Sequence, residues 1–567
     1  MARAMVSRLK GRVLIPMPPL LLSIIERKAL SLMMRIVRPW SWLFALLVGL
    51  SLAACAPMPG SGPSPYDPAT ESGRIPSQPF TRQNAQNMLT QSYVAVSSRY
   101  IEPVDMADFV LAGLRGLSRI DPDLTFRRLG GSFTVARTGR PVAGFPMPSS
   151  GHGSDWARLS IDVIQAARAV SPTLTEADSE AVYDALFDAA LASLDPFSRY
   201  AGAEEARLNR GSRNGFGGIG IVFEITDAGA ILVREVIADG PADDAGLRVG
   251  DRIVAVDGEP FPAQPTNRDV RERLRGPVGA PVRLTIRRDA LVQVTLDRGL
   301  IVLPTVEWSR EDGIGILRVS SFNQATAEAV AVAVTAARTR GDLRGLILDM
   351  RGNPGGLLDQ AVATADLFLN DGTIVSTRGR HPEARQFYSA ADGDIADGLP
   401  IVVLMDGDSA SAAEIVAAAL QDDARAVVIG TTSYGKGTVQ TVVQLPNRGE
   451  LTLTWSRFYS PSGYVLHGLG VPPVACTSGR GGRTEPAEVE RVLNDLRQQA
   501  APIARRLASW RHTAFEDKDR RQRLRALCPA EHHEPNGLDE IVARHLLRDP
   551  TLYGRAIGLI GADAARL

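Results

Sequence analysis

Two serines in this sequence have the surroundings for nucleophilic chemistry. Ser409 and Ser411 lie in DSASAAEIVAAALQ (408–421), between the apolar run LPIVVLMDG and an alanine-rich helical pattern. A serine at the start of a helix is ordinarily an N-cap, whose oxygen accepts hydrogen bonds from the free N–H groups of the first turn. A strand, a tight turn and a helix in this order also expose the nucleophilic hydroxyl of hydrolases. The stretch is therefore either a capping sequence or the site of a nucleophile.

A nucleophilic serine requires a base, and the nearest histidines in the sequence are the distant His381 and His467. The recognised substitute is a neutral lysine. Lys436 lies in TTSYGKGTVQ between Gly435 and Gly437, which permit close approach of the chain. Its reference pKa of about 10.4 means that it must be removed from water to act as a base near neutral pH. Taken by itself, Lys436 would be interpreted as a solvated surface charge.

The elements that would position these residues alternate along 299–475. GLILDMRG and PIVVLMDG are predicted strands, GLLDQAVATADLFL and SAAEIVAAALQDD are predicted helices, and AVVIG, GTVQTVVQL and LTLTWSRFYS are further predicted strands. In such an α/β layer the strand ends lead into helix starts, where catalytic sites commonly lie. Ala412, the first residue of the helix after Ser411, would offer a backbone N–H to an oxyanion at the positive end of that helix.

A different pattern precedes this layer. PADDAGLRVGDRIVAVDG combines a short helix, a glycine turn and a strand, TNRDVRERLRG supplies a second helix, and PVRLTIRRD supplies a closing strand. Together these stretches resemble a PDZ domain over 213–298. The resemblance implies that a peptide C-terminus adds as a strand beside the second helix. It also implies that GFGGIGI presents the groove through Gly218, Ile219, Gly220 and Ile221.

The two catalytic stretches resemble the C-terminal processing peptidases, also called tail-specific proteases, a serine–lysine family. That family has a serine in an S-A-S-A-type stretch, a lysine in F/Y-G-K-G and a glutamine four residues later. Here Ser411 and Lys436 are 25 residues apart, and Gln440 is four residues after the lysine. The resemblance implies that Ser411 is the nucleophile and Lys436 the base, and leaves Ser409 a capping or turn role. Residues 436, 438 and 440 are expected to share one face of a strand, so that Gln440 orients the lysine amine.

The same family supplies an interpretation of DMRGNPGG (349–356). This stretch resembles the family's D-x-R-x-N-x-G-G loop, which implies a second oxyanion donor at Gly355 or Gly356. The resemblance covers roughly 180–475 and includes LDPFSRY and YSPSGYVLHGLGVPP. Two departures are visible: Asp408 precedes the serine stretch, where it could perturb the local electrostatics, and VPPV replaces the usual xPDx ending.

Composition restricts the class of protein. A chain of 567 residues is too long for one core, so three or four domains are expected. The balance of 63 basic and 63 acidic residues implies no general polyanion-binding character. A content of 44% hydrophobic and 22% charged residues fits a soluble globular protein rather than a polytopic membrane protein. The seven histidines show no ligand spacing, and His532–His533 is interpreted as a solvated loop pair. No metal and no cofactor are therefore expected.

Export is predicted from the residues that precede Cys55. RIVRPWSWLFALLVGLSLAAC has a basic start, a short apolar middle and a small-residue end, the design of a secretory signal. Its LAAC ending resembles the lipobox of bacterial lipoproteins, which implies that Cys55 is lipidated; an uncleaved anchor helix is the alternative. The first 32 residues fit no signal design, and Met33 or Met34 would give a normal start. Ala56 is not the aspartate associated with retention in the inner membrane, which favours the outer membrane.

The predicted fold class is multidomain α/β and α+β, with an α/β protease core, an inserted PDZ domain and helical regions at both ends. The predicted segments are a doubtful N-terminal extension (1–32), a lipoprotein signal peptide (33–54), a lipidated flexible tether (55–80), a helical N-terminal region (81–212), the PDZ domain (213–298), the protease core (299–475) and a helical C-terminal region (476–567). In an oxidising periplasm Cys476 and Cys528 would be expected to pair, and two buried free thiols are the alternative.

The leading hypothesis is a periplasmic, lipid-anchored serine endopeptidase that recognises protein C-terminal tails through its PDZ domain and cleaves upstream at Ser411. The alternative is a PDZ scaffold with an inert protease-like domain. The presence of Ser411, Lys436 and Gln440 argues against it, because an inert domain would be free to lose them. An esterase or amidase acting on small molecules would need no PDZ domain. The expected partners are protein substrates with suitable tails and a membrane, with no nucleic acid. The sequence does not decide whether an activating adaptor protein binds or whether the chain forms a homo-oligomer.

Overall fold

The computed structural model describes 79–561 apart from 392, 480–483 and 535–536. Several predicted features lie outside the described residues: the N-terminal extension, the signal peptide, the lipidated Cys55 and the tether up to residue 78. Within the described ranges no helix is both long and apolar enough to cross a membrane.

The N-terminal region packs helices around a core that includes the buried Tyr93, Phe109 and Phe187. Side-chain caps start its first two helices: Thr81 accepts from Asn84 N–H, and Asp105 accepts from the next turn. The elements are α1 (Arg82–Arg99), α2 (Met106–Gly116), the 3₁₀ turn Leu117–Arg119, β1 (Leu124–Leu129), β2 (Ser132–Arg137), β3 (Arg140–Pro146), α3 (Gly153–Val170), α4 (Pro172–Glu176) and α5 (Ser179–Ala192).

A three-stranded antiparallel sheet, β1-β2-β3, interrupts these helices, and the sequence analysis did not predict it. Its two hairpins turn at Gly130 and Gly139, which have φ values of 55° and 77° that favour glycine. Phe126, Phe133 and Val135 point into the helical core, while the alternate residues of β1 are exposed. Such short strands are stable here because one face is covered by helices.

A link and the PDZ domain follow. The five-stranded order β11-β10-β8-β7-β6, with β9 beside β8, leaves β6 at one edge of the sheet. A capping box between Thr266 and Asp269 starts the helix α8. The elements are β4 (Arg199–Ala201), α6 (Ala203–Asn214), β5 (Phe216–Gly218), β6 (Ile221–Ile225), β7 (Ile231–Val236), α7 (Pro241–Asp244), β8 (Arg252–Val256), β9 (Glu259–Pro260), α8 (Asn267–Leu274), β10 (Pro281–Arg287), β11 (Leu291–Asp297) and β12 (Gly299–Ile301). Strands β5 and β12 pair where the chain enters and leaves the domain.

The protease core contains two sheets rather than the single α/β layer predicted from the sequence. The mainly parallel sheet has the order β13-β14-β15-β18-β19-β22, and the antiparallel sheet has the order β17-β16-β21-β20 with β4 added to β21. The elements are β13 (Val306–Glu311), β14 (Ile314–Val319), α9 (Thr326–Thr339), β15 (Gly345–Asp349), α10 (Leu358–Asp366), β16 (Thr373–Arg378), the 3₁₀ turn Pro382–Ala384, β17 (Gln386–Ser389), β18 (Ile401–Met405), α11 (Ala412–Asp422), β19 (Ala426–Gly430), β20 (Thr438–Gln444), β21 (Glu450–Tyr459) and β22 (Ala475–Cys476).

The division into two sheets follows from what each strand packs against. Every residue of β15, β18 and β19 is buried, as expected for parallel strands covered on both faces. The β20–β21 hairpin instead places Leu445, Leu451 and Leu453 in the N-terminal helical core. The second sheet therefore joins the protease core to the N-terminal region.

The C-terminal region is helical, as predicted, and it covers one face of the parallel sheet. Val492, Leu496 and Val542 pack in one apolar cluster with Val402 and Val427 of that sheet. Its elements are α12 (Pro486–Gln498), α13 (Ala500–Arg511), α14 (Lys518–Arg525), α15 (Leu538–Arg548) and α16 (Pro550–Gly561).

A disulfide joins this region to the protease core. Cys476 of β22 and Cys528, which follows α14, have an S–S distance of 2.02 Å. Because Thr432 Oγ1 also donates to the Cys528 carbonyl, the chain after α14 is held against the loop that follows β19. We call residues 528–534 the C-terminal strap.

We expect Cys528→Ser to lower the free energy of unfolding by about 4 kcal/mol, because a covalent loop of 52 residues is no longer closed in the unfolded chain. Denaturant unfolding of the non-reduced protein measures this loss, and Cys55→Ser is the matched control that should leave it unchanged. Thiol labelling of both Cys476 and Cys528 in non-reduced, denatured protein would show that no such bond forms.

Candidate active site

Ser411 lies in the turn between β18 and α11, in a backbone conformation that is rare for residues with a side chain. Its φ of 55° and ψ of −112° are held by neighbouring hydrogen bonds. Ala410 N–H donates to the Asn353 carbonyl (2.9 Å), and Ser411 N–H donates to Glu414 Oε2 (2.8 Å). Such strain persists only where the surroundings determine it, and it occurs mostly at functional sites.

Ser409 has a different environment from Ser411. It is fully buried, and its hydroxyl donates to the Met350 carbonyl (2.9 Å) and accepts from Asp406 N–H (2.9 Å). Ser409 therefore fixes the turn, while Ser411 lines an open cavity.

Glu414 is the residue of this site that the sequence analysis missed. Its side chain is fully buried, and in addition to Ser411 N–H it accepts from Ser433 Oγ (2.5 Å), Gly435 N–H (2.7 Å) and Lys436 N–H (2.9 Å). Burial raises the pKa of Glu414, and the four donors oppose that rise. The signal for Glu414 was its position three residues after Ser411, the spacing of a capping box.

Lys436 is half-buried in the loop between β19 and β20. Its Nζ lies 5.3 Å from the centroid of the Phe197 ring, which comes from the LDPFSRY stretch. Burial lowers the pKa of Lys436, and the positive charge of Arg199 lowers it further, whereas Glu414 acts in the opposite direction. The two charged groups that act on the lysine therefore come from other segments, Arg199 from β4 and Glu414 from α11.

Ser411, Lys436, Ala412, Gly356 and Gln440 line one cavity of about 360 Å³. The structure thus brings together the predicted nucleophile, the predicted base and two of the predicted oxyanion donors, Ala412 and Gly356. Ser411 Oγ and Lys436 Nζ form no hydrogen bond with each other in the described structure. The cavity also has no histidine among its lining residues, within the part of the chain described.

Gln440 forms no hydrogen bond with the lysine amine in the described structure. Its Nε2 donates to Thr438 Oγ1 (2.9 Å) and more distantly to Thr454 Oγ1 (3.5 Å). The strand begins only at Thr438, and its register shifts between Val439 and Gln440. The expected regular alternation from 436 to 440 is therefore wrong, because Lys436 precedes the strand and a bulge interrupts it.

The DMRGNPGG loop lies beside Ser411, and its two glycines differ. Gly355 N–H donates to Asn353 Oδ1 (2.8 Å), so that donor is already used. Gly356 N–H donates to no other described residue. Both positions require glycine: a Cβ on Gly355 would lie 2.8 Å from Ser411 Cβ, and one on Gly356 would lie 2.1 Å from the Phe322 carbonyl oxygen. The glycine at 355 thus lets the loop lie against Ser411, and the glycine at 356 lets it lie against Phe322.

The C-terminal strap holds the turn before the nucleophile. Gly407 N–H donates to the Glu531 carbonyl (2.7 Å), and His533 N–H donates to Asp406 Oδ2 (3.2 Å). Arg351, in the oxyanion loop, donates to the Glu534 carbonyl (2.9 Å). A region whose role was not predicted thus contacts both loops of the site.

The interpretation of His532–His533 as a solvated pair is wrong for His533. This side chain is buried, with Nδ1 2.8 Å from Asp539 Oδ2, and that carboxylate raises the pKa of His533. His532 is exposed and lies 2.8 Å from Asp408 Oδ2, which raises its pKa in turn. Asp408, which departs from the family's pattern, is therefore paired with His532 and does not line the cavity that contains Ser411.

One group among the described residues could hold a cation. The ligand atoms of Asp406, Asp408 and His532 lie within 4.8 Å of one another. Asp406 Oδ1, however, already accepts from Gly352 N–H (2.9 Å) and Ser409 N–H (3.0 Å). The buried Asp406 carboxylate is therefore already hydrogen-bonded to protein groups, and it does not require a cation to be satisfied.

The PDZ residues predicted to bind a peptide line a second cavity, of about 230 Å³, between β6 and α8. Gly218, Ile219, Gly220 and Ile221 all contribute to its wall. Gly220 has a φ of 80°, and its carbonyl accepts from Ile237 N–H (2.9 Å). The N–H groups of Ile219 and Gly220 donate to no other described residue.

Comparison with known proteins identifies the family. Residues 313–474 match Peptidase family S41, and residues 232–288 match the PDZ domain. The carboxy-terminal-processing protease of Bartonella bacilliformis is 42% identical over 308 residues, which are 53% of this chain and 70% of that protein. The chain belongs to the carboxy-terminal processing proteases. The predicted family, fold class and serine-type protease activity are confirmed.

Other matches have lower sequence identity. The carboxy-terminal processing protease CtpA of Bacillus subtilis is 32% identical over 301 residues, 52% of this chain and 64% of its own length. Among solved structures, the photosystem II D1 C-terminal processing protease has 25% identity and a TM-score of 0.34, covering 65% of this chain and 92% of its own. The chain spans about two thirds of the length of these two curated relatives.

We expect Arg199→Gln to raise the pKa of Lys436, because a positive charge that disfavours the lysine ammonium is removed. If the neutral amine is the base, the rising limb of kcat/KM against pH moves to higher pH, so the variant is slower below that limb. Arg199→Lys retains the charge and should leave the limb in place. An unmoved limb in Arg199→Gln would contradict this account of the lysine.

Proposed function

We propose that this processing protease is a periplasmic, lipid-anchored endopeptidase that binds protein C-terminal tails in its PDZ groove and cuts them with a Ser411–Lys436 dyad. The observation that carries the proposal is one cavity lined by a serine in a strained turn and by a half-buried lysine of lowered pKa. A lysine in this state is the base that a serine without histidine requires.

In the proposed reaction the neutral Lys436 amine takes the proton of Ser411 Oγ as that oxygen bonds to the substrate carbonyl carbon. The carbonyl oxygen becomes an oxyanion, held by the N–H groups of Ala412 and Gly356. We assign the second donor to Gly356 because Gly355 N–H is occupied by Asn353. When the C–N bond breaks, the Lys436 ammonium gives its proton to the leaving amine.

Deacylation repeats these roles with water as the nucleophile. Lys436 accepts a proton from the water, which attacks the ester carbon, and Ser411 Oγ leaves with that proton. Gln440 takes no part as a lysine partner in this scheme, since its amide is turned to Thr438.

The proposed location has two supports. The basic, apolar and small-residue order that ends at Cys55 is that of an exported lipoprotein, and Ala56 favours the outer membrane. The Cys476–Cys528 disulfide fits an oxidising compartment such as the periplasm.

We expect Ser411→Ala and Lys436→Ala each to abolish cleavage of a chromogenic peptide and to leave the fold intact. Lys436→Arg should be equally inactive, because a guanidinium stays protonated and cannot serve as a base. Comparison of periplasmic protein C-termini by mass spectrometry, between wild type and Ser411→Ala, then identifies the substrates.

Retained cleavage by Lys436→Arg would exclude the lysine-base mechanism. Identical C-termini in wild type and Ser411→Ala cells, with tails still bound, would instead support the inert scaffold.

A physical connection between groove and cavity makes gating the second part of the proposal. Helix α6 contributes Ser212 and Arg213 to the active-site cavity, and Phe216, directly beyond it, lines the PDZ groove. Arg213 is fixed by the buried Glu450 at 2.8 Å. A tail that shifts Phe216 would therefore act on the cavity through α6. The absence of a hydrogen bond between Ser411 and Lys436 in the described structure is consistent with a free enzyme whose catalytic residues are not aligned.

We expect a separate tail peptide to accelerate cleavage of a short substrate that cannot reach the groove. Binding shifts the population toward the aligned state only as far as the peptide prefers that state, and a tenfold acceleration requires about 1.4 kcal/mol of preference. The measurement is the rate of short-substrate cleavage against tail concentration. An unchanged or inhibited rate would mean that the PDZ domain only concentrates its substrate.

A further inference from the structure

The active-site cavity extends along strand β20, away from the catalytic lysine. Thr438, Gln440 and Val442 of that strand all line it. Thr452 of the neighbouring β21 lies opposite Val442, and Arg199 of β4 lies opposite Thr452. Residues that lie opposite each other on paired strands carry their side chains on the same face of the sheet. Arg199 therefore projects from the sheet face that forms a wall of the cavity, and it is one of the lining residues.

The charges of this cavity make Arg199 distinct. Three cationic side chains line it, those of Arg199, Arg213 and Lys436, and no acidic residue lines it in the described structure. Arg213 is paired with Glu450 Oε1 at 2.8 Å, and Lys436 must be neutral to act as a base. The exposed side chain of Arg199 has no hydrogen bond or ion pair with any described residue. The cavity thus presents to a substrate a positive charge that none of these residues neutralises.

The position of this charge relates it to the bond that is cut. Lys436 directly precedes β20, and the row of Val442 and Arg199 is four residues beyond Thr438, which is about 13 Å along the strand. The long arginine side chain shortens that separation, and its charge lowers the pKa of Lys436. An extended substrate also advances about 3.3 Å per residue. Its side chains would therefore meet Arg199 about two to four residues from the cleaved bond.

We propose that Arg199 is a specificity-determining residue, and that it favours substrates with an acidic side chain about two to four residues from the cleaved bond. The inference rests on the proposed function, since it requires that cleavage takes place in this cavity. A substrate carboxylate would accept charge-assisted hydrogen bonds from the guanidinium. Because Arg199 is exposed, this contact adds selectivity among substrates rather than most of the binding energy.

The test uses the full-length protein and a set of fluorogenic peptides that share one sequence and one C-terminal tail. Each peptide carries Glu, Gln or Lys at a single position, two, three or four residues before or after the cleaved bond, and mass spectrometry verifies that the same bond is cut. The value of kcat/KM is measured above the rising limb of the pH profile, where Lys436 is neutral.

We expect one or more of these positions to distinguish the three residues. There the Glu peptide should be cleaved about threefold faster than the Gln peptide, and the Lys peptide about threefold more slowly, the size of an exposed ion pair. The differences should shrink as salt is added, because salt screens the interaction between exposed charges.

Charge reversal supplies the decisive comparison. Arg199→Glu should invert the order so that the Lys peptide is cleaved fastest, Arg199→Gln should remove the order, and Arg199→Lys should retain it. Rates are compared between peptides within each variant, so any change in the basicity of Lys436 affects all peptides alike. Arg127→Glu is the matched control: this arginine is exposed on β1 and outside the cavity, so the wild-type order should persist. Unchanged thermal unfolding verifies that each variant is folded.

Each other outcome has a distinct meaning. Equal cleavage of the Glu, Gln and Lys peptides at every position by the wild type would overturn the proposed preference and leave the proposed function intact. A preference for Glu that persists in Arg199→Gln would assign it to another group and would also overturn the inference. So would an order that Arg127→Glu removes, because the net charge of the protein would then be its cause. Cleavage retained by Ser411→Ala would instead refute the proposed function, and the inference with it.

Discussion

The buried carboxylate of Glu414 is the interaction on which the active site depends. It accepts hydrogen bonds from the backbone of Ser411 and of Lys436, and so fixes the distance between two loops that follow different strands. Burying a carboxylate is costly unless it is fully hydrogen-bonded, and here four donors offset that cost. The same contacts hold Ser411 in its strained conformation. One side chain thus positions both the nucleophile and the base.

Several distant segments support this arrangement, which explains why a protease core needs the regions around it. Asn353 holds both the oxyanion loop and Ala410, and the C-terminal strap holds Gly407 on the other side of the turn. Arg351 is buried against Asp349 at 2.7 Å, and that pair is covered by α15. Asp539 and Glu540 of α15 lie 3.5 Å and 3.8 Å from the Arg351 guanidinium, so charged groups join the C-terminal region to the oxyanion loop.

The parts that could be predicted from the sequence are those encoded by short spacings. The turn at Ser411, the glycine-flanked Lys436, the PDZ pattern and the glycine loop each occupy a few consecutive residues. The three-stranded sheet in the N-terminal region, the two sheets of the core and the strap could not be predicted, because they depend on pairings between residues far apart in the chain. Gln440 illustrates the limit. Its amide donates to Thr438, and the strand register shifts between Val439 and Gln440, which the sequence did not indicate. Glu414 was visible only as half of a capping box.

The most direct test of this account is the turnover of Glu414→Gln on a peptide substrate. The amide preserves the shape of the side chain but presents a donor to N–H groups that need an acceptor. We predict that kcat falls by about 100-fold or more while KM changes little, because both reacting groups lose their alignment. Ser433→Ala, which removes one donor and keeps the carboxylate, should lose much less. A folded Glu414→Gln protein with the wild-type kcat would contradict the claim that this carboxylate holds the active site together.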